Sequence, residues 1–225
     1  LVMLTKEQLK ILSVFLKDVF AGLTFKQIKK QSKQKSNNIV QIALKEFQKQ
    51  SLVQAAKIGN VITYQLDLDR NLTLSYLNIL NQLDLTKRKF PKEVLQELQK
   101  RIAKYTDFFI LIIFGSYAKG NATEKSDLDV AVIVESEQTK NEITPFFETI
   151  KRREMKTIDY HVFTRSDFLE MLNADIENVG KQIYKNSLIY YGFIGYCNMI
   201  RRRKKLPTLS LKLLVAAPAS LQPRP

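Results

Sequence analysis

The chain has 225 residues, of which 45% are hydrophobic and 26% are charged, proportions that are ordinary for a soluble globular protein. Its one cysteine, Cys197, excludes an internal disulfide and a cysteine-rich zinc site, and fits a reducing compartment. No apolar stretch reaches the ~20 residues that a membrane-spanning helix needs, and no signal peptide is visible. We therefore expect a cytoplasmic protein without a membrane partner.

The formal net charge of +14 is unevenly distributed along the chain. Residues 1–89 carry a net charge of +9, residues 90–200 carry −2, and residues 201–225 carry +7. A basic N-terminal third indicates a polyanionic partner, most simply nucleic acid. The alternative is a lysine-rich surface that is only solvated.

The first 70 residues have the pattern of three helices followed by a hairpin. Thr5, followed by Glu7 and Gln8, predicts a capping box before an apolar helix face, and Thr24 and Ser36 can cap two further helices. Gly59–Asn60 separates two runs typical of strands. The predicted elements are helices at Thr5–Phe20, Phe25–Gln31 and Asn37–Gln50 and strands at Leu52–Ala56 and Val61–Leu68. The residues expected to face inward from the third helix are Ile39, Ile42, Ala43, Leu44 and Phe47.

This arrangement resembles a winged helix-turn-helix domain. The resemblance implies that the third helix enters the DNA major groove and that the hairpin lies along the backbone. Amides near the start of that helix would reach base edges, and neighbouring lysines would contact phosphates. The predicted DNA-binding residues are Lys33, Lys35, Asn37, Asn38, Gln41, Lys45 and Lys57. The alternative is a protein–protein interaction module.

An apolar helix predicted at Asn71–Leu85 either packs on its own domain or pairs with a second copy of the chain in a homodimer. The segment KRKFP, residues 87–91, has the charge run and proline of a linker, and Pro91 can open the next helix. The elements predicted after it are helices at Lys92–Tyr105, Glu142–Arg153, Asp167–Leu172 (capped by Ser166) and Ile176–Tyr191, and strands at Phe108–Phe114, Val130–Val134 and Thr157–Phe163.

Residues 201–225 differ in composition from the rest of the chain. RRRKK is followed by LPTLSLKLLVAAPASLQPRP, which contains no acid and has three prolines among its last eight residues. We expect a tail that is disordered or vector-derived. A folded-back helix at Ser210–Ala217 is the alternative.

The stretch Gly115–Val134, GSYAKGNATEKSDLDVAVIV, places two carboxylates at the start of an apolar strand. Because side chains alternate along a strand, Asp127 and Asp129 point to the same face, roughly 6.6 Å apart. Two bare carboxylates at that distance repel by roughly 2.5 kcal/mol at an effective dielectric of about 20. The pair therefore predicts a cation between them.

The Gly-Ser turn, the Asp-Leu-Asp triplet and a third acid, Asp159, on a later strand resemble the signature of nucleotidyltransferases related to DNA polymerase β, especially their minimal branch. The resemblance covers about residues 92–192. Ala118 and Gly120 also match the signature. Lys119 stands where the signature usually has arginine, so the bidentate fork of a guanidinium is missing.

This resemblance implies a role for each matching residue. Asp127, Asp129 and Asp159 would be catalytic and would bind metal: two Mg²⁺ ions, with Mn²⁺ as the alternative. Gly115, Ser116 and Lys119 would bind the triphosphate of ATP or another NTP. Tyr117 either stacks on a base or packs. His161, which shares a strand face with Asp159, is either structural or lines the site.

We therefore expect an α/β (α+β) fold with a winged helix domain at 1–86, a linker at 87–91, a small mixed-sheet nucleotidyltransferase domain flanked by helices at 92–200, and a tail at 201–225. The resemblance implies an antitoxin-like enzyme that transfers AMP from ATP to a hydroxyl of a protein, with a HEPN-type helical toxin as partner and DNA bound by the N-terminal domain. Two alternatives are a DNA-binding regulator whose nucleotidyltransferase fold only binds nucleotide, and a small-molecule nucleotidyltransferase of the antibiotic-modifying type.

Overall fold

The computed structural model describes residues 3–153 and 158–205, and the helix considered at Ser210–Ala217 lies outside them. The fold is mixed α/β, as predicted, with two separate sheets. The helices are α1 (Lys6–Leu12), α2 (Phe25–Gln31), α3 (Asn37–Lys49), α4 (Asn71–Lys87), α5 (Lys92–Ile102), α6 (Gly115–Lys119), α7 (Glu137–Arg153), α8 (Arg165–Asn173), α9 (Val179–Lys185) and α10 (Phe193–Lys205). The strands are β1 (Leu23–Thr24), β2 (Val53–Ile58), β3 (Val61–Leu66), β4 (Phe109–Ile113), β5 (Leu128–Val134), β6 (Ile158–Thr164) and β7 (Leu188–Tyr191).

Local capping signals start the first two helices as predicted. The Thr5 hydroxyl accepts a hydrogen bond from the Gln8 N–H at 3.3 Å, and the Gln8 side chain accepts one from the Thr5 N–H at 2.8 Å. Thr24 begins α2 through the same reciprocal pair of bonds with Gln27. Ser36 precedes α3 without a side-chain capping bond. α1 is shorter than predicted, because a 3₁₀ turn follows it at Ser13–Lys17.

The first sheet covers the N-terminal helices and has the order β1–β3–β2, with both pairs antiparallel. The hairpin of β2 and β3 was predicted, and the two-residue strand β1 was not. β1 follows Gly22 and immediately precedes α2. The order along the chain is therefore α1, β1, α2, α3, β2, β3.

Helix α3 buries a narrower stripe than predicted. Val40, Ala43, Leu44 and Phe47 face the core, whereas Ile39 is 40% exposed and Ile42 is 54% exposed. The inward orientation expected for the two isoleucines was wrong. The buried four already form the i, i+3, i+4, i+7 stripe that packs on a core, and positions 39 and 42 fall outside it.

The second sheet has the order β6–β5–β4–β7, with β5 and β6 parallel and the other two pairs antiparallel. Successive residues of β4 and β5 enter two different apolar clusters, because side chains alternate across a strand. One cluster lies under α8, α9 and α10, and contains Ile112 and Ala131. The other lies under α5 and α7, and contains Ile113 and Val130.

The C-terminal elements differ from the prediction in two places. Thr164, rather than Ser166, caps α8 and exchanges bonds of 3.0 and 3.1 Å with Asp167. The single helix expected at Ile176–Tyr191 is instead the helix α9 and the strand β7, with a short loop before each of them. The run LIYY is rich in β-branched and aromatic residues and pairs with β4, so sheet pairing determines its conformation.

Helices α4 and α10 join the N-terminal and C-terminal parts of the chain. The Asn81 side-chain amide donates to the Ile189 carbonyl at 2.8 Å, in a buried bond. Arg201, in α10, donates to the Leu68 carbonyl and pairs with the Asp69 carboxylate at 2.7 Å. One buried cluster runs from α1 through α4 to α10. The N-terminal and C-terminal parts of the chain therefore share one core, and residues 201–205 continue α10.

Within residues 3–153 and 158–205, no helix combines the length and the apolar character needed to cross a membrane.

Candidate active site

Two of the three predicted acids lie side by side in the second sheet. Asp129 on β5 is in direct register with Asp159 on the parallel strand β6, where neighbouring strands run about 4.8 Å apart. Asp127 lies just before β5, two residues from Asp129, so the alternation of a strand favours the same face for both. Asp127 and Asp159 are exposed, and Asp129 is half-buried. The structure thus places Asp159, which the family resemblance selected, beside the Asp127 and Asp129 pair that the spacing predicted.

The Gly-Ser turn approaches Asp129 from the end of β4. Gly115 has φ of +61°, a conformation that favours glycine, and a Cβ there would lie 1.9 Å from Asp129 Oδ2. The backbone N–H of Ser116 donates to the Asp129 carboxylate. The Ser116 hydroxyl is a further group through which that residue can contact a phosphate. Lys119 is exposed at the end of α6.

The electrostatics of Asp129 reflect its neighbours. Burial raises the pKa of this carboxyl, and the nearby carboxylates of Asp159 and Asp127 raise it further, whereas the Ser116 N–H lowers it. The raised pKa means that the ionised form is less stable here than in water. A cation placed between the acids would reverse that balance.

The donor set fits a hard divalent cation, since carboxylate oxygens are the ligands that Mg²⁺ prefers. The crowding of carboxylates around Asp129 and the close approach of Gly115 support this fit. However, among the described residues no three His, Cys, Asp or Glu side chains already converge tightly enough to enclose a metal ion. The strand register and the electrostatics of Asp129 show that the acids are adjacent. We conclude that they lie side by side without enclosing an ion-sized space.

Two further residues near the turn, His161 and Tyr117, make aromatic or apolar contacts. The His161 ring contacts Phe163 with 5.7 Å between ring centroids and Phe114 with 5.9 Å. Since it is in register with Ala131, one step along the same face from Asp129 and Asp159, its ring adjoins the acids. Tyr117 is buried in the cluster under α5 and α7. Its packing favours the structural interpretation of Tyr117 over base stacking.

Arg88 also contacts this region, and sequence reasoning assigned it only to the linker. Its Nε pairs with the Asp84 carboxylate at 2.7 Å, and its Nη1 donates to the Ala118 carbonyl of α6 at 3.4 Å. The end of α4 therefore touches the short helix that carries the Gly-Ser turn. No local motif indicates this contact, because positions 88 and 118 are far apart along the chain.

A cleft of about 1050 Å³ lies at the opposite end of β5 from the acids. Phe108, Val134 and Ile194 line it, together with residues of α4. None of the three acids borders this cleft. Its size alone does not make it the catalytic site, because the residues suited to phosphoryl chemistry are elsewhere.

The residues predicted to bind DNA all lie on the surface of the N-terminal part. Lys33, in the turn between α2 and α3, has φ of +55°. Asn37 accepts a 2.6 Å hydrogen bond from the Lys29 ammonium, so its amide oxygen is partly occupied. Asn38, Gln41 and Lys45 project from the solvent side of α3, and Lys57 lies in β2 next to the hairpin turn.

Comparisons with known proteins add to this geometry. A solved structure of a mutant of ZitR from Lactococcus lactis matches with 23% sequence identity and a TM-score of 0.30, over 47% of this chain and 65% of that one. This chain thus spans somewhat less than two thirds of that protein, and a likeness at this TM-score carries no structural argument. No curated protein matches the chain. Residues 96–190, which contain all three acids and the Gly-Ser turn, match the family model described as "Polymerase beta, Nucleotidyltransferase", and this similarity supports nucleotidyltransferase activity in general terms.

Proposed function

We propose that this protein is a metal-dependent nucleotidyltransferase that transfers AMP from ATP to a hydroxyl of a protein partner and binds DNA through its N-terminal part. The catalytic half rests on one observation. Asp129 and Asp159 are paired in register beside Gly115, within the segment that matches the nucleotidyltransferase family.

Each residue of the site has a task in this reaction. Asp127 and Asp129 would hold two Mg²⁺ ions (or Mn²⁺), and Asp159 would help to hold one of the two. The two ions would neutralise negative charge on the attacking and leaving oxygens. Gly115 allows the backbone to approach the triphosphate, and the Ser116 hydroxyl and Lys119 bind its oxygens. The acceptor oxygen attacks the α-phosphorus, pyrophosphate leaves, and the Asp159 carboxylate accepts the hydroxyl proton.

The choice of ATP and of a tyrosine-like hydroxyl follows from the resemblance to the minimal nucleotidyltransferase branch. That resemblance also points to a HEPN-type helical toxin as the acceptor protein and to an antitoxin role. The open arrangement of exposed Asp127 and Asp159 supports a bulky acceptor, because a protein side chain needs unobstructed access.

The N-terminal half of the proposal rests on connectivity and charge. The order α1, β1, α2, α3, β2, β3, with a short turn between α2 and α3, resembles that of a winged helix-turn-helix domain and supports this half of the proposal. The side of α3 away from the core carries amides and lysines, and residues 1–89 have a net charge of +9. A polyanion that accepts hydrogen bonds from amides, such as duplex DNA, fits this surface.

Catalysis is tested by incubating the full chain with ATP labelled at the α-phosphate, Mg²⁺ and candidate acceptor proteins, with the other NTPs in parallel. Wild type should label an acceptor, and the Asp127→Asn/Asp129→Asn double variant should not. Mg²⁺ should also raise the melting temperature of wild type but not of the double variant. Equal labelling by the two proteins would eliminate the enzymatic proposal.

DNA binding is tested by substitution rather than by deletion, because the two parts share a core. Binding to duplex DNA is measured against salt for wild type and for a Lys33→Gln/Lys35→Gln/Lys45→Gln variant. Removing three phosphate contacts should reduce the slope of log K against log salt by about 2.7. A control that loses the same charge at exposed Lys87, Lys100 and Lys104 should keep the wild-type slope. A slope near zero for wild type would contradict the proposal.

A second candidate is a regulator that binds nucleotide without transferring it. The observation that favours it is the absence, among the described residues, of three acids already converged on one point. In that case ATP would change the DNA affinity of wild type, but no acceptor would be labelled. Labelling of a small molecule in place of a protein would instead identify an antibiotic-modifying type of enzyme.

A further inference from the structure

The side of α3 that faces solvent carries an aliphatic side chain at its centre. Asn38, Ile42 and Lys45 recur at i, i+4 and i+7, so they lie on one stripe of the helix. Val40 and Phe47 are fully buried on the opposite side. Ile42 is 54% exposed in this otherwise polar stripe, and Ile39 is 40% exposed on its flank.

Single exposed aliphatic residues are common on protein surfaces. Ile42 differs because Asn38 lies one turn before it and Lys45 one turn after it, on the face that a winged helix-turn-helix domain presents to DNA. The positive charge around Ile42 also restricts which kind of partner can bind this face of α3. Lys33, Lys35 and Lys45 are exposed nearby, and a polyanion complements them better than an apolar protein surface does.

We propose that Ile42, with Ile39 beside it, contacts thymine methyl groups in the major groove, and that α3 thereby recognises A·T base pairs. Thymine is the base that presents a C5 methyl group in this groove, and aliphatic side chains are its usual contacts. Asn38 and Gln41 would bond the N6 and N7 atoms of adenine in the same or an adjacent pair. Cytosine at these positions has no C5 methyl group, so the contact with the aliphatic side chain would be lost. This inference rests on the proposed DNA binding and specifies the sequence class that is bound.

The test begins with a duplex library containing 20 random base pairs, from which the full chain selects its preferred sequence. The best duplex is then resynthesised with deoxyuridine at each thymine in turn, which removes one methyl group and leaves base pairing unchanged. Affinities are measured for wild type, Ile42→Ala and a control, Ile79→Ala, whose isoleucine is similarly exposed on α4.

We expect one or two deoxyuridine positions to weaken wild-type binding about threefold to fivefold, the effect of one buried methyl group. Deoxyuridine at the same positions should have little effect on the DNA affinity of Ile42→Ala. The affinity of Ile79→Ala should fall as that of wild type does. If deoxyuridine is neutral everywhere while Asn38→Ala still weakens the selected duplex, DNA binding stands and the thymine inference is overturned. If no duplex is enriched, the DNA-binding proposal fails as well, and α3 is left as a protein-binding surface.

Discussion

Gly115 lies directly against the carboxylate of Asp129, so closely that a Cβ at position 115 would be 1.9 Å from Asp129 Oδ2. Gly115 also has φ of +61°, where side chains are strained. Glycine meets both requirements, because it has no Cβ and tolerates positive φ. The contact fixes the Gly-Ser turn next to the acid that is central to the site.

Gly115→Ala should therefore impair both stability and activity. The left-handed backbone alone costs an alanine about 1–2 kcal/mol, and the collision with Asp129 adds to this. Because the Asp129 carboxylate must move, we expect nucleotidyl transfer to fall by about 100-fold. Urea unfolding and the labelled-ATP assay measure the two effects.

Gly120→Ala is the matched control for this substitution. Gly120 has φ of +76° at the end of α6, but a Cβ there would meet no atom within 4 Å. It should show only the cost of backbone strain, about 1–2 kcal/mol, and activity should stay within a few fold of wild type. Equal losses of activity in the two variants would show that contact with Asp129 is unimportant.

Asp129→Asn should have opposite effects on stability and on activity. Burial and the neighbouring carboxylates of Asp159 and Asp127 disfavour a charge at Asp129, so removing it should raise the melting temperature in a chelating buffer at neutral pH. An asparagine oxygen can still accept the Ser116 N–H. Activity should fall by roughly 10²- to 10³-fold, as expected when a group that acts by its charge is neutralised.

Adding Mg²⁺ to the same two proteins provides the check. The ion should stabilise wild type and leave Asp129→Asn nearly unchanged, because ligand binding to the native state raises its stability. A variant that is less stable than wild type in chelator would contradict the view that these acids repel one another.

The sequence predicted local features well and long-range contacts poorly. Thr5 and Thr24 were correctly identified as helix caps, because capping depends on residues three positions apart. The strand at Leu188–Tyr191 was missed, since its conformation depends on pairing with β4, some 80 residues earlier. Ile42 was misplaced for a related reason: its aliphatic character suggested burial, whereas the packing geometry of α3 excludes it from the core.

In the candidate site, too, local features were easier to predict than long-range contacts. Asp127 and Asp129 were recognisable as a pair from their spacing alone, whereas the role of Asp159 required a family resemblance. That resemblance selected a residue that lies in register with Asp129. The contact between Arg88 and the Ala118 carbonyl was not predictable, because no spacing pattern connects a helix end to a turn 30 residues later.

Asn81→Ala should destabilise the whole molecule. The Asn81 amide is buried and donates to the Ile189 carbonyl at 2.8 Å, so its loss leaves a buried acceptor without this donor, at a cost of about 1–3 kcal/mol. The exposed neighbour Gln82 is the control, and Gln82→Ala should change stability by less than about 0.5 kcal/mol. Urea unfolding followed by circular dichroism measures both.

The shared core predicts how Asn81→Ala will unfold. Because α4 packs on the 3₁₀ turn at Ser13–Lys17 as well as on α10 and β7, both parts should lose structure in one transition at a lower urea midpoint. Two separated transitions would show instead that the N-terminal and C-terminal parts are energetically independent.

Asp167→Asn should reduce stability at neutral pH and lose its effect in acid. The Lys140 ammonium, 2.8 Å away, and the Thr164 N–H hold the pKa of the Asp167 carboxyl below its ordinary value. A carboxyl with a lowered pKa stabilises the folded state above its unfolded pKa, near 3.9, and this contribution disappears as pH falls through the folded value. Both side chains are about one third exposed, so we expect about 0.2–1 kcal/mol at pH 7.

Asparagine is the informative substitution at position 167, because it separates the effect of the carboxylate charge from the effect of the capping hydrogen bond. Its amide oxygen can still accept the Thr164 N–H, so the capping box that starts α8 is retained and only the attraction to Lys140 is lost. Asp167→Ala removes both and should cost about 1 kcal/mol more at every pH. Urea unfolding at pH 7, 5 and 3.5 should therefore give a difference between wild type and Asp167→Asn that is equal at pH 7 and 5 and smaller at pH 3.5, whereas the difference between the two variants stays constant. A wild-type advantage over Asp167→Asn that is as large at pH 3.5 as at pH 7 would show that the charge of Asp167 is not the source of the stabilisation.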